Sequence, residues 1–169
     1  MSLRIDELRL APIMKQRATE LADAFPDLIR WTSGRRTIHE QAHAMAVNHT
    51  LDPKGYMMRS YVHAGDFLGA LSARPWATSI DEITEVFYDV MTEHPGMLLS
   101  PHLDGNAVDL QPMEYADGMP TTDGQRVIDW IKACPDTVNF RTREGHLKRW
   151  HWQTVSVHSL FQQSLKEVV

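Results

Sequence analysis

The chain has 169 residues and a mass of 19.3 kDa, a length that fits one domain around a single core. Hydrophobic residues make up 43% and charged residues 23%, which excludes a disordered, collagenous or coiled-coil chain. Seventeen Lys and Arg against 22 Asp and Glu give a formal net charge of -5, without a run of five like charges, so nucleic acid is not an expected partner.

The cysteine content limits the possible metal ligands, and the N-terminal sequence indicates where in the cell the chain is made. The single cysteine, Cys134, excludes an intrachain disulfide framework, so any metal site must use histidine and carboxylate ligands. Apolar stretches are far shorter than the roughly 20 residues that span a bilayer, and the N-terminal MSLRIDELRL carries acids where a signal peptide has its apolar core. We therefore expect a soluble chain, made in the cytoplasm, without membrane insertion.

Capping signals, apolar periodicity and turn residues predict mostly helical elements in the first half of the chain. Thr37 and Glu40, three residues apart, form a capping-box pattern that begins a helix, and Ser79 caps another. The predicted elements are helical segments over 5–24 interrupted by Pro12, a strand over 28–32, a helix from Thr37 to about Asn48, a loop with one short helix over 51–75, and a helix from Ser79 to Glu93.

The sequence of the second half of the chain predicts the strands of a small sheet. Two segments of strand character surround Glu144 and Gly145 and are expected to pair as a hairpin. The predicted fold class is therefore α+β, a small antiparallel sheet surrounded by helices, in a single domain over residues 1–169. The predicted elements are a strand over 107–110, a helix over 122–133, strands over 138–143 and 149–155, and a helix over 156–167.

One histidine group lies on the helix that Thr37 begins. His39, Glu40 and His43 fit the H-E-x-x-H pattern of helix-borne zinc proteases, and His49 falls at the third histidine of the longer metzincin pattern. However, Ala46 stands where that longer pattern has glycine, and only 38 residues, mostly helical, come before the motif. We favour the interpretation that Glu40 caps the helix and that the histidines are ordinary polar positions on it.

A second group combines a loop with two predicted strands. His102 lies in the loop that enters the sheet, Asp109 on the strand that follows, and Gly105 permits the tight turn between them. His151 lies within the last strand, flanked by two tryptophans that point to the opposite face. Two nitrogens and one carboxylate oxygen make an open tetrahedral zinc site, with one position left for water.

These residues carry a resemblance to a known family. Residues 100–109 match S-x-H-x-x-G-x-A-x-D at all five fixed positions, and with W-H-W at 150–152 the chain resembles the zinc D-alanyl-D-alanine carboxypeptidase family. That family includes bacteriophage peptidoglycan endopeptidases and, more remotely, the hedgehog signalling domain. Residues 33–37, followed by Gln41, resemble the family's arginine turn before a helix, with Arg36 at its key position.

The resemblance implies a zinc peptidase with one ion, held by His102, Asp109 and His151. Arg36 would bind the substrate's carbonyl or carboxylate oxygen and stabilise the negative charge of the tetrahedral intermediate. The alternative for Arg36 is a surface salt bridge.

The chain departs from the family at the general base. Many members carry a carboxylate three residues before the last histidine ligand, and that position here is Lys148. Glu144, the nearest acid upstream, is the expected base, because the hedgehog-like branch also places its glutamate farther back. His146 is the second choice for the base, or else an oxyanion donor.

The resemblance further implies hydrolysis of a peptide bond in bacterial peptidoglycan stem peptides by a phage or prophage endolysin, released through a holin. A D-alanyl-D-alanine carboxypeptidase is the near variant. Two other functions stay open: a non-catalytic zinc-binding module of the same fold, motivated by Lys148, and a zincin that uses His39, Glu40 and His43.

Overall fold

A computed structural model describes residues 2–53, 55–61, 63–94, 100–142 and 149–155 of the chain. Helices and a four-stranded antiparallel sheet make up the regular structure of these ranges, which confirms the α+β class. No helix among the described residues combines the length and the apolarity that a membrane crossing requires. The elements are a 3-10 helix (Ile5–Leu8), helices α1 (Pro12–Ala24), α2 (Ile38–Leu51), α3 (Tyr56–Ser60), α4 (Ala64–Ser72), α5 (Ile80–Glu93) and α6 (Thr122–Ala133), and strands β1 (Trp31–Ser33), β2 (Ala107–Leu110), β3 (Thr137–Arg141) and β4 (Trp150–Thr154).

The chain divides into two compact units, one formed by Met1–Arg35 with Asp104–Val169 and the other by Arg36–Leu103. We call them the sheet unit and the helical unit. Each has its own cluster of buried apolar side chains. The single domain over 1–169 stays a prediction.

In the sheet unit, the strand order is β1-β2-β4-β3. Val108, Leu110, Trp150 and Trp152 are fully buried in a core shared with residues of α1 and α6. Because successive residues of a strand point to opposite faces, Asp109 and His151 lie on the other face of the sheet. The tryptophans therefore point to the face opposite His151, as predicted, and pack in the core.

In the helical unit, capping boxes begin the two longest helices. The Thr37 hydroxyl accepts a hydrogen bond from the Glu40 N–H at 3.2 Å, and the Glu40 carboxylate accepts one from the Thr37 N–H at 2.6 Å. Ser79 and Glu82 make the same pair of bonds at the start of α5. These reciprocal bonds satisfy N–H groups that a helix start leaves without intrahelical partners.

Most predicted elements are confirmed, and the differences have physical causes. The predicted strand over 28–32 starts late, at Trp31, because a turn over 26–28, in which Asp27 has a left-handed φ of 64°, follows α1. Helix α2 continues past Asn48 to Leu51, and Pro53 follows its last cap residue.

The segment 51–75 holds two helices, α3 and α4, where one short helix was expected. Gly65 and Gly69 lie inside α4. Ala64 and Phe67 bury one face of α4 in the core of the helical unit, with Leu68 packed against the same cluster. This burial outweighs the cost of about 1 kcal/mol that each glycine imposes on a helix.

The predicted hairpin is confirmed in its strands, since β3 and β4 pair antiparallel. Its turn, with Glu144, and the predicted helix over 156–167 lie outside the described residues.

Candidate metal centre

Three buried side chains converge, and they are the three that the sequence predicts as metal ligands. His102, Asp109 and His151 each offer a ligand atom, and these atoms all lie within 4.8 Å of one another. The exposed fractions of these residues are 1%, 0% and 4%. Within the described part of the chain, this is the only group of three or more such donors at these distances. We call it the metal group.

Strand register brings two members of the metal group together. Asp109 on β2 lies directly opposite His151 on β4. Direct partners in an antiparallel pair present their side chains on the same face of the sheet. Asp109 Oδ1 lies 3.1 Å from His151 Nδ1. Directly opposed residues form a row across the sheet: Ser33 on β1 lies opposite Asp109, and Arg141 on β3 lies opposite His151.

The fixed positions of the 100–109 motif each have a structural role. The Ser100 hydroxyl accepts a hydrogen bond from the His102 N–H at 3.3 Å, within a turn over 101–105. Gly105 has φ of 75°, and a Cβ there would lie 2.8 Å from the Ala11 nitrogen, so only glycine fits. Ala107 is fully buried at the start of β2. The spacing therefore sets the turn and the strand as well as the ligands.

Arg149 is a residue of this site that sequence reasoning missed. Its Nη1 donates to Asp109 Oδ2 at 3.1 Å, and its side chain is 27% exposed. Arg149 stands two residues before His151, so strand alternation places it on the same face of the sheet. That spacing is the signal that could have identified it.

The backbone of Arg36 is hydrogen-bonded to a member of the metal group. Its N–H donates to the His102 carbonyl at 3.0 Å. Its guanidinium Nη1 donates to Oε1 of the buried Gln41 at 3.1 Å, and Gln41 Nε2 donates to the Tyr61 hydroxyl at 3.3 Å. Glu144, His146 and Lys148 lie outside the described residues, so the general base stays a prediction.

The histidines of α2, which we call the α2 histidines (His39, His43 and His49), have other partners. His39 Nε2 lies 3.1 Å from Glu85 Oε1, and His43 Nδ1 lies 3.3 Å from the Thr84 hydroxyl. His49 packs edge-on against Phe87, and burial lowers the pKa of its imidazole. Glu40 makes the helix cap described above.

The metal group fits a zinc ion. Two imidazole nitrogens and one carboxylate oxygen are ligands that zinc prefers, and three protein ligands are typical of catalytic sites with an open position. All three residues are almost completely buried, so a cation held between them would lie away from bulk solvent. The donor types and their separation thus support a divalent metal, without selecting zinc over cobalt or nickel.

Comparisons of the chain with protein-family models, with curated proteins and with solved structures find no match in any of the three.

Proposed function

We propose that this protein is a zinc-dependent peptidase that hydrolyses a peptide bond in bacterial peptidoglycan stem peptides, as a phage or prophage endolysin. The observation that carries the proposal is the convergence of His102, Asp109 and His151. His102 and Asp109 come from one of the two motifs that resemble the peptidoglycan peptidase family, and His151, 42 residues after Asp109, comes from the other. A D-alanyl-D-alanine carboxypeptidase is the near variant of the same chemistry.

His102, Asp109 and His151 would hold the zinc ion. A zinc ion with three protein ligands lowers the pKa of water toward about 7 and polarises a carbonyl group. The protein's own contribution is to hold the ligands rigidly and exclude bulk water. Asp109 and His151 sit on paired strands whose other face is the tryptophan core, so their backbone positions are fixed.

Two further residues have proposed roles in the reaction. Hydrolysis adds water to the scissile carbonyl and breaks the C–N bond, and one proton moves from the water to the leaving amine. Glu144 would accept and then deliver this proton. Arg36, whose backbone is anchored at His102, would hold the carbonyl oxygen as it gains negative charge. Loss of comparable donors costs roughly 3–4 kcal/mol, or about 10²–10³-fold in kcat.

Purified peptidoglycan tests the proposal. The zinc-loaded protein should release amino groups from peptidoglycan, and removal of the metal by a chelator should abolish that release, which added zinc should restore. Glu144→Gln should retain zinc and lose activity by about 10²–10⁴-fold, as expected for loss of a general base. Equal activity in Glu144→Gln and the wild type would remove Glu144 from the mechanism.

A non-catalytic zinc module is the second candidate, favoured by Lys148 at the position where many relatives carry the base. The same experiment separates the two. Stoichiometric zinc without amino-group release from cell-wall preparations of several cross-link types would favour the binding module. Release of amino groups would exclude it.

A further inference from the structure

The two oxygens of the Asp109 carboxylate have different neighbours. Oδ1 lies 3.1 Å from Nδ1 of His151, another member of the metal group. Oδ2 accepts a hydrogen bond from Arg149 Nη1, also at 3.1 Å. Asp109 is fully buried, and the Arg149 side chain is 27% exposed, so this bond is partly shielded from solvent. A guanidinium is the strongest available donor for such a carboxylate oxygen, because the bond is charge-assisted.

This arrangement has a consequence for metal binding. A carboxylate can bind a cation through one oxygen or through both, and the choice changes the coordination number. An oxygen already bonded to a guanidinium is turned away from a cation that binds the other oxygen. With Oδ2 held by Arg149, Asp109 offers the metal Oδ1 alone.

We propose that Arg149 is a positioning residue of the metal centre, which keeps Asp109 a one-oxygen ligand and so preserves the open coordination position. This inference rests on the metal site of the proposed function and goes beyond it by assigning a partner outside the ligand set. Such outer partners typically change metal affinity or activity 10- to 100-fold when removed.

Two effects of removing Arg149 oppose each other. Loss of the hydrogen bond frees the carboxylate and lowers affinity, whereas loss of a positive charge near the cation raises affinity. Arg141 provides a matched control for the second effect. It is exposed on β3, directly opposite His151, so Arg141→Met removes a nearby positive charge at a position that makes no bond to Asp109 in the structure.

The experiment measures zinc affinity by competition with a chelator and the visible absorption of the cobalt-loaded protein. Arg149→Met should bind zinc about 10- to 100-fold more weakly than the wild type. Its cobalt absorption should lose intensity, because four-coordinate cobalt absorbs more strongly than cobalt with an added carboxylate oxygen. Arg141→Met should stay within about threefold of the wild type and keep its cobalt spectrum, since the outer bond is intact.

The outcomes distinguish this inference from the proposed function. A wild type that binds no stoichiometric zinc would overturn both. Zinc binding with an unchanged affinity and cobalt spectrum in Arg149→Met would overturn the role of Arg149 alone. Equal losses in Arg141→Met would also overturn it, because they would show that the loss does not depend on the bond to Asp109. If Arg149→Met does not fold, Arg149→Gln is tested in its place. A zinc affinity and a cobalt spectrum of Arg149→Gln that both equal those of the wild type would overturn the proposal.

Discussion

The metal group and the α2 histidines both match zinc-ligand patterns in sequence, yet their surroundings differ. Members of the metal group are at most 4% exposed, and two of them face each other across paired strands. In the other set, His39 and His43 are exposed and contact side chains of α5. Histidine spacing on a helix is therefore a weaker indication of a metal site than donors from separate elements that the fold buries together.

Glu40 shows why the helical pattern is ambiguous. An H-E-x-x-H match places glutamate where a helix can also need a capping partner, and here Thr37 precedes it by the three residues of a capping box. Glu40 therefore fits both the zinc-protease pattern and the capping-box pattern. The structure shows the cap, made by both reciprocal bonds.

Metal content gives the largest expected contrast between the two groups. His102→Ala and His151→Ala should each lose roughly 2.5–4 kcal/mol of zinc binding, about 10²–10³-fold in affinity, because each removes one inner ligand. His39→Ala and His43→Ala should bind zinc like the wild type. The measurement is zinc per chain by elemental analysis after dialysis, with circular dichroism to verify folding. Zinc retained in the first pair and lost in the second would reverse the assignment.

Glu40 gives a smaller contrast that separates capping from catalysis. Thr37→Ala should lower the free energy of unfolding by about 1 kcal/mol, since it removes the N-cap oxygen of α2. Glu40→Gln should keep full peptidase activity, whereas a general base would lose it. Urea unfolding and amino-group release measure the two effects. Glu82→Gln, in the matching cap of α5, is the control, and inactivation by Glu40→Gln alone would contradict the capping role.

Much of the fold was predictable because local signals agreed with the final packing. Strand β2 and helix α6 have the predicted bounds, and α5 begins right after its predicted cap, Ser79. Helix α4 was not predictable from local rules, since its two glycines indicate a loop and the burial of Phe67 supplies the compensating energy. Tertiary packing, which no short window of sequence contains, decided that segment.

The site was predictable to the extent that its residues also build the fold. Gly105 belongs to the motif because the turn requires glycine, and Ala107 is fully buried at the start of β2. Arg149 carries a weaker signal, its two-residue spacing from His151, because an arginine at that spacing is equally typical of a solvated sheet edge. Only the pairing of β2 with β4 shows that it reaches Asp109.

His49 provides the smallest effect, on the pH dependence of stability. Burial lowers its pKa in the folded chain, and its Nδ1 is buried without a hydrogen-bond partner among the described residues. An unfolded chain with a histidine pKa of about 6.5 then binds the proton more readily than the folded one. The stabilising contribution of the His49 imidazole is complete above about pH 6.5 and is lost as the pH falls through the lower pKa of the folded chain.

His49→Leu should therefore flatten the acid side of the curve of stability against pH, measured as urea midpoints from about pH 8 to pH 5. A difference between variant and wild type that stays constant over this range would mean that His49 titrates alike in both states, and that its ring, edge-on to Phe87, is no more buried than an ordinary surface imidazole.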